Sequence, residues 1–404
     1  MSGARRVRRV LSGVVALAVV LGVVYGAAAL LTPVPRLHIE QTLSAAVDGG
    51  WDDTLALPAA GSTALLAGSG SIVEAGDAEP RPIAGMAKLV LAHVVLDAEP
   101  LGAGGTGEAI TIDQQHIERY RELDAAGART VAVRFGQTWT RRDLLAATVI
   151  GSGNNTAELL VDEVFGGLDA YLAAARAWLD ENGLSSTTVV DGTGLDPASL
   201  STAADLARLG ALSLENPALA ALLESRPRTT QGGAAFADEA AFLRELGTTG
   251  LVRTYTDAAG VCVLLAITVD DETIIVAALG QPGYPAAEDA VGALLESVRT
   301  SVRPVEVVAA GQVVAIARSA WGQETELVAT EGVSVSSTEL DGLGLRLEAA
   351  SRSTIVRGAD AGSLVVETGE AEQVVRLEST SAITEPGVAW RFADPITVFE
   401  RWAG

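Results

Sequence analysis

The sequence predicts an α+β domain followed by a small all-β, sandwich-like domain, both behind one N-terminal transmembrane helix. Three observations carry that reading. Residues 10–31 form an apolar run of 22 residues without a charge, directly after Arg5, Arg6, Arg8 and Arg9, and that length crosses a bilayer as a helix. Between residues 60 and 303 helical and strand periodicities alternate. From Pro304 onward only short valine- and leucine-rich runs remain, separated by glycine and acidic turns, the pattern of a β sandwich.

Taken in chain order, the arginines ahead of the apolar run hold that end in the cytoplasm, so everything beyond Pro33 is expected on the outer face. Ala27-Ala28-Ala29 imitates a cleavage site, but the run exceeds the usual core of a signal peptide, and residues 1–33 read as an uncleaved anchor. Residues 34–59 are a juxtamembrane segment. The main domain, residues 60–303, opens with strands over 63–67 and 71–74 flanking Gly68-Ser69-Gly70, a hairpin. Pro82 then introduces a strongly apolar helix over about 84–97. A helix-rich block covers about 140–184, interrupted at Gly151-Ser152-Gly153-Asn154 and closed by Asn182-Gly183, a helix stop. Ser201-Thr202-Ala203-Ala204-Asp205 is the capped start of another helix. The runs 261–269 and 273–279, joined by Asp270-Asp271-Glu272, form a hairpin buried on at least one face. Residues 286–302 return to helical spacing and are expected to pack on that sheet. The final domain, residues 304–404, has strands over 305–309, 313–317, 333–335, 343–347, 364–367 and 373–377.

Composition narrows the function. Outside the four leading arginines the chain has 24 basic against 51 acidic residues, a formal charge of −27, which disfavours nucleic acid and anionic lipid surfaces as partners. Cys262 is the only cysteine, so no intramolecular disulfide forms, and its setting in Val261-Cys262-Val263-Leu264-Leu265 is that of a small buried hydrophobe. His38, His93 and His116 are scattered without metal-ligand spacing. No metal and no cofactor are expected.

Lys88 is the single lysine beside 27 arginines. Arginine stays charged and spreads its donors in a wide fork, whereas lysine is a slim point charge that loses its proton when desolvated. A lone lysine in an apolar helix is therefore a candidate buried, chemically active amine. Compositional drift that replaced lysine wherever the surface allowed is the alternative.

Several motifs in order settle the resemblance. Arg81-Pro82-Ile83-Ala84-Gly85-Met86-Ala87-Lys88 comes first, then Ser152-Gly153-Asn154-Asn155, then Asp191-Gly192-Thr193-Gly194-Leu195-Asp196-Pro197 with Ser201-Thr202-Ala203-Ala204-Asp205-Leu206. Last comes Gly247-Thr248-Thr249-Gly250, ahead of Thr256-Asp257-Ala258-Ala259-Gly260. From about residue 60 to residue 300 the chain resembles the low-molecular-weight penicillin-binding proteins, and more narrowly the serine-type, membrane-associated D-alanyl-D-alanine carboxypeptidases of actinobacterial type. The resemblance implies a β-lactamase/transpeptidase-like domain, an antiparallel sheet with helices on both sides plus a helical cluster. It also implies a chemistry. In Ser-x-x-Lys the serine attacks the carbonyl of the terminal D-alanyl-D-alanine bond, and residues three apart on a helix share a face, so the lysine reaches the serine hydroxyl as base. Ser-x-Asn relays the proton and orients lysine and substrate. Lys-Thr-Gly on a strand receives the substrate carboxylate, and main-chain N–H groups beside the nucleophile and on that strand form the oxyanion site.

Two positions depart from this pattern. Gly85 stands three before Lys88, where the nucleophile belongs, and Thr248 stands where the lysine of Lys-Thr-Gly belongs. The expected site is therefore Lys88, Ser152 and Asn154 as retained family positions, with Thr248, Thr249 and Gly250 on the substrate-binding strand. Without a hydroxyl at position 85 the family's acyl-enzyme cannot form. The leading expectation is a catalytically degenerate, membrane-anchored, extracytoplasmic relative, a pseudoenzyme that binds peptidoglycan stem peptides or partner cell-wall enzymes, with Arg253 as a substitute cation. Two rivals remain: an active serine-type hydrolase with a non-standard nucleophile such as Ser152, and a structural ectodomain that interacts through its β domain.

Overall fold

A computed structural model describes residues 3–45, 50–369 and 371–393. The chain separates into two compact units, one of Gly49–Arg303 and the other of Met1–Asp48 with Pro304–Gly404.

The larger unit is built on a five-stranded antiparallel sheet in the order Ile72–Gly76, Ser62–Ala67, Glu272–Gln281, Gly260–Val269, Thr249–Thr256. Its two long central strands are apolar over 261–267 and 274–279 because both faces are covered there. Along Gly260–Val269 the side chains alternate strictly. Cys262, Leu264 and Ala266 join the core shared with the helix Ala87–Ala98, while Val261, Val263, Leu265 and Ile267 join the core shared with the helix Tyr284–Ser301. The turn between the central strands is two residues long, Asp270 and Asp271, with φ of +48° and +66°, the primed geometry that matches strand twist. On one face the helix Ala203–Glu215 approaches so closely at Gly210 that a Cβ there would lie 2.7 Å from Ile275 Cγ2. Thr202 caps that helix by accepting from the Asp205 amide at 3.2 Å.

The helix Ala87–Ala98 buries every residue from Ala87 to Leu96, which explains why its pattern is apolar all round rather than striped. The helix-rich block resolves into Arg141–Val149, Asn154–Phe165 and Leu168–Glu181, ended by Gly183 at φ +68°. Cys262 is fully buried, and burial pushes its thiol up to about 11, which makes it inert. Of the histidines, His38 begins an edge strand, His93 pairs with Ser213 at 2.9 Å, and His116 completes a capping box with Asp113.

The smaller unit carries a six-stranded antiparallel sheet in the order His38–Gln41, Val313–Arg318, Glu324–Ala329, Ala371–Ser379, Asp360–Thr368, Leu343–Ala349, and a two-stranded pair of Pro304–Val308 with Val333–Ser336. Two strands had no counterpart in the sequence pattern. Glu324–Ala329 alternates too briefly to stand out, and His38–Gln41 falls in the segment read as juxtamembrane. The latter pairs with Val313–Arg318, and Arg318 reaches Glu40 at 2.6 Å. The helix Gly3–Leu31 also belongs to this unit, and Val7–Leu31 is long and apolar enough to cross a membrane.

Candidate functional site

A short turn, Ala84–Met86, feeds the buried helix Ala87–Ala98 and places Gly85 at its head. Ala84 adopts φ +47°, in the left-handed region. Gly194 is pressed against this turn: a Cβ on it would lie 1.7 Å from the Ala84 carbonyl oxygen, so only glycine fits there. Asp191 organises the loop that carries Gly194. Its carboxylate accepts from the amides of Thr193, Gly194 and Asp196 at 3.1, 2.6 and 3.1 Å and from the Thr193 hydroxyl at 3.0 Å.

That loop presents the Thr193 carbonyl to Lys88, whose Nζ donates to it at 2.6 Å. Lys88 is 4 % exposed. Burial drives its pKa down to about 7, Asp191 opposing and Arg129 adding to the effect, so the amine exchanges its proton near physiological pH.

The third side comes from the break between the helices Arg141–Val149 and Asn154–Phe165. Ser152 sits there at φ +51°. Asn154 and Asn155 pin the segment opposite: Asn154 Nδ2 donates to the Arg129 carbonyl at 2.9 Å, and Asn155 both donates to and accepts from the Val131 backbone at 2.9 Å. Asn154 Oδ1 is buried and has no partner.

These pieces converge on position 85. A Cβ built on Gly85 would lie 3.3 Å from Lys88 Nζ, 3.4 Å from Ser152 Oγ and 2.8 Å from Thr254 Oγ1. Gly85, Lys88, Ser152 and Asn154 line one cleft of about 350 Å³. The motif reading of the helical wall thus brings together residues that meet in space.

The strand wall requires a correction. Thr248, Thr249 and Gly250 do not line this cleft; Arg253, Thr254, Tyr255 and Thr256 do. The Thr248 hydroxyl donates to the Leu243 carbonyl at 2.7 Å, Thr249 is exposed at the start of the strand, and Gly250 is packed where a Cβ would meet the Ala240 carbonyl and Leu243 at 2.9 Å. The Gly250 carbonyl accepts from Arg226, itself paired with Asp238 in the interior. The strand is eight residues long with a bulge between Gly250 and Val252, and its far half faces the helix head. The signal for this lay in Thr256-Asp257-Ala258-Ala259-Gly260, since the residues just before that turn are the ones carried to the cleft. The charge missing at Thr248 is therefore not a property of the cleft. Arg253 is the cation on this wall, yet its Nε donates to the Glu239 carbonyl at 3.0 Å, its Nη1 lies 3.6 Å from Glu288, and its guanidinium sits between the rings of Phe242 and Tyr284 at 4.8 and 4.9 Å.

Chemically, the cleft offers an amine with a pKa lowered to about 7, a hydroxyl and a side-chain amide, with no side-chain oxygen at position 85.

Comparison with known proteins agrees with this geometry. The model of the D-alanyl-D-alanine carboxypeptidase family matches residues 58–283. A D-alanyl-D-alanine endopeptidase of Escherichia coli (strain K12) is 29% identical over 206 residues, covering 48% of this chain and 62% of the relative. A D-alanyl-D-alanine endopeptidase of Pseudomonas aeruginosa is 35% identical over 139 residues, 34% of this chain and 41% of the relative. The chain thus spans less than two thirds of either relative's length. Among solved structures, penicillin-binding protein 6B from Escherichia coli aligns with a TM-score of 0.57 at 16% identity, over 85% of this chain and 99% of that one. Penicillin-binding protein 5 from Haemophilus influenzae aligns with a TM-score of 0.55 at 18% identity, over 81% and 98%. Those likenesses establish the fold, and the family match covers more than half of the sequence: the chain belongs to the D-alanyl-D-alanine carboxypeptidase family.

Proposed function

We propose that this chain is a non-acylating member of its family, held at the membrane by its N-terminal helix with the cleft outside, where it binds peptidoglycan stem peptides and presents them, or itself, to cell-wall enzymes. One observation carries the reading: residue 85 is glycine at the point where Lys88, Ser152 and the strand converge. A glycine has no atom able to bond to a substrate acyl carbon, and tighter binding does not replace a missing nucleophile. The cleft of about 350 Å³ that Lys88, Ser152 and Asn154 line supports the binding half.

A second reading, hydrolysis through a different nucleophile, draws on Ser152, whose hydroxyl is 3.4 Å from where a Cβ on Gly85 would be. One experiment separates the two. The purified protein is incubated with a labelled β-lactam and followed by intact mass spectrometry, alongside assay of D-alanine release from a stem peptide. No adduct and no steady release are expected. An adduct, mapped by digestion to Ser152 or to any other residue, overturns the non-acylating reading.

A further inference from the structure

The Gly85 amide does not point into an empty cleft. It donates to Thr254 Oγ1 at 3.0 Å. The same oxygen lies 2.8 Å from the place a Cβ on Gly85 would occupy, closer than real Cβ atoms approach, so any side chain at position 85 collides with it. Thr254 is not free to withdraw. It is 9 % exposed and pairs across the sheet with Cys262, which is fully buried in the central strand. Its own strand is tied down further along by the Arg226 bond to the Gly250 carbonyl. A β-branched side chain in a strand also has restricted χ1 freedom.

We infer that Thr254 is a plug: its hydroxyl fills the space of the absent residue-85 side chain and occupies the Gly85 amide, so that positions 85 and 254 form one interlocked unit. The inference rests on the non-acylating reading and gives it a second barrier. In acyl transfer the main-chain amide beside a nucleophile is a typical oxyanion donor, and here that donor already has an internal acceptor. A serine restored at position 85 alone would meet the Thr254 oxygen and an engaged amide. Nor does Thr254 serve as the nucleophile itself: the amide that would stabilise an oxyanion is bonded to the hydroxyl that would attack.

The test is a double-mutant cycle read by urea denaturation of the full chain. Gly85→Ala is expected to lower the folding equilibrium constant at least tenfold in the parent chain, and less than threefold when combined with Thr254→Ala. Equal effects in both backgrounds overturn the inference. If Gly85→Ala leaves too little folded protein to measure, Thr254→Val decides by amide hydrogen exchange. That change keeps the shape and removes the acceptor, so exchange at the Gly85 N–H is expected to accelerate at least tenfold while neighbouring amides are unchanged. An unchanged Gly85 rate overturns the plug. These readouts are independent of β-lactam reactivity in the parent protein, so failure of the proposed function and failure of the plug are distinguished.

Discussion

At one end of the strand Thr249–Thr256, the Arg226 guanidinium donates to both carboxylate oxygens of Asp238 and to the Gly250 carbonyl, all in the interior. At the other end, the Lys88 amine has one carbonyl partner and the neighbouring Asn154 Oδ1 has none. Both centres hold a basic side chain that is at least nine-tenths buried. The first is closed: burial opposes the charge on Asp238, but Arg226 outweighs it and holds the carboxyl below its ordinary range. The second is open: its amine, lowered by burial to about 7, lines the cleft. The contrast teaches how to tell a fastening from a site. A network with every member satisfied in the interior holds elements together; an amine of lowered pKa beside a cleft is placed to meet a ligand.

The comparison is sharpened most by Asp238→Ala. It strands a buried guanidinium, and a broken buried pair costs about 3–5 kcal/mol, measurable as a fall in the urea midpoint at constant slope. A loss below about 1 kcal/mol would put this pair with surface ion pairs and remove the distinction.

The next effect is a pH dependence. The Lys88 pKa is about 7 in the folded chain against an ordinary 10.5, so between those values the unfolded chain binds more protons and stability rises with pH. The Cys262 thiol, raised to about 11 from 9, acts in the opposite sense above pH 9. The interval from pH 7 to 9 therefore reports Lys88, with a slope approaching about 1.4 kcal/mol per pH unit. Lys88→Met is expected to flatten it. A slope that survives the substitution would mean the amine is charged in the folded state and the open centre is misread.

The two ends of that strand also differ in how legible they were. The helical wall could be read from sequence because its signals are local: Pro82 ahead of an apolar run, one lysine three residues after Gly85, and a Gly-Ser-Gly-Asn break between helices. Hairpin turns were equally local, as at Asp270-Asp271. The strand wall could not be placed. Thr248-Thr249-Gly250 and Arg253-Thr254-Tyr255 flank a single apolar pair, Leu251-Val252, on one short stretch. A period of two cannot say which half faces a helix head, and the bulge after Gly250 resets the alternation. The plug was invisible for the same reason, since the contact of Thr254 with Gly85 joins positions 169 residues apart. His38–Gln41 is four residues whose partner strand is far along the chain, and edge strands of that length carry little propensity signal.

The turn at Ala84 has a practical side. Its φ of +47° costs an alanine roughly 1 kcal/mol to hold the following residue at the mouth of the cleft. In a chain with nothing there to aim, that tension is slack an engineer can let out. Ala84→Gly is expected to shift the thermal midpoint by the equivalent of less than about 1 kcal/mol, because relief of the strain is offset by loss of a buried methyl, so the turn can be reset for a different reactive group at little cost.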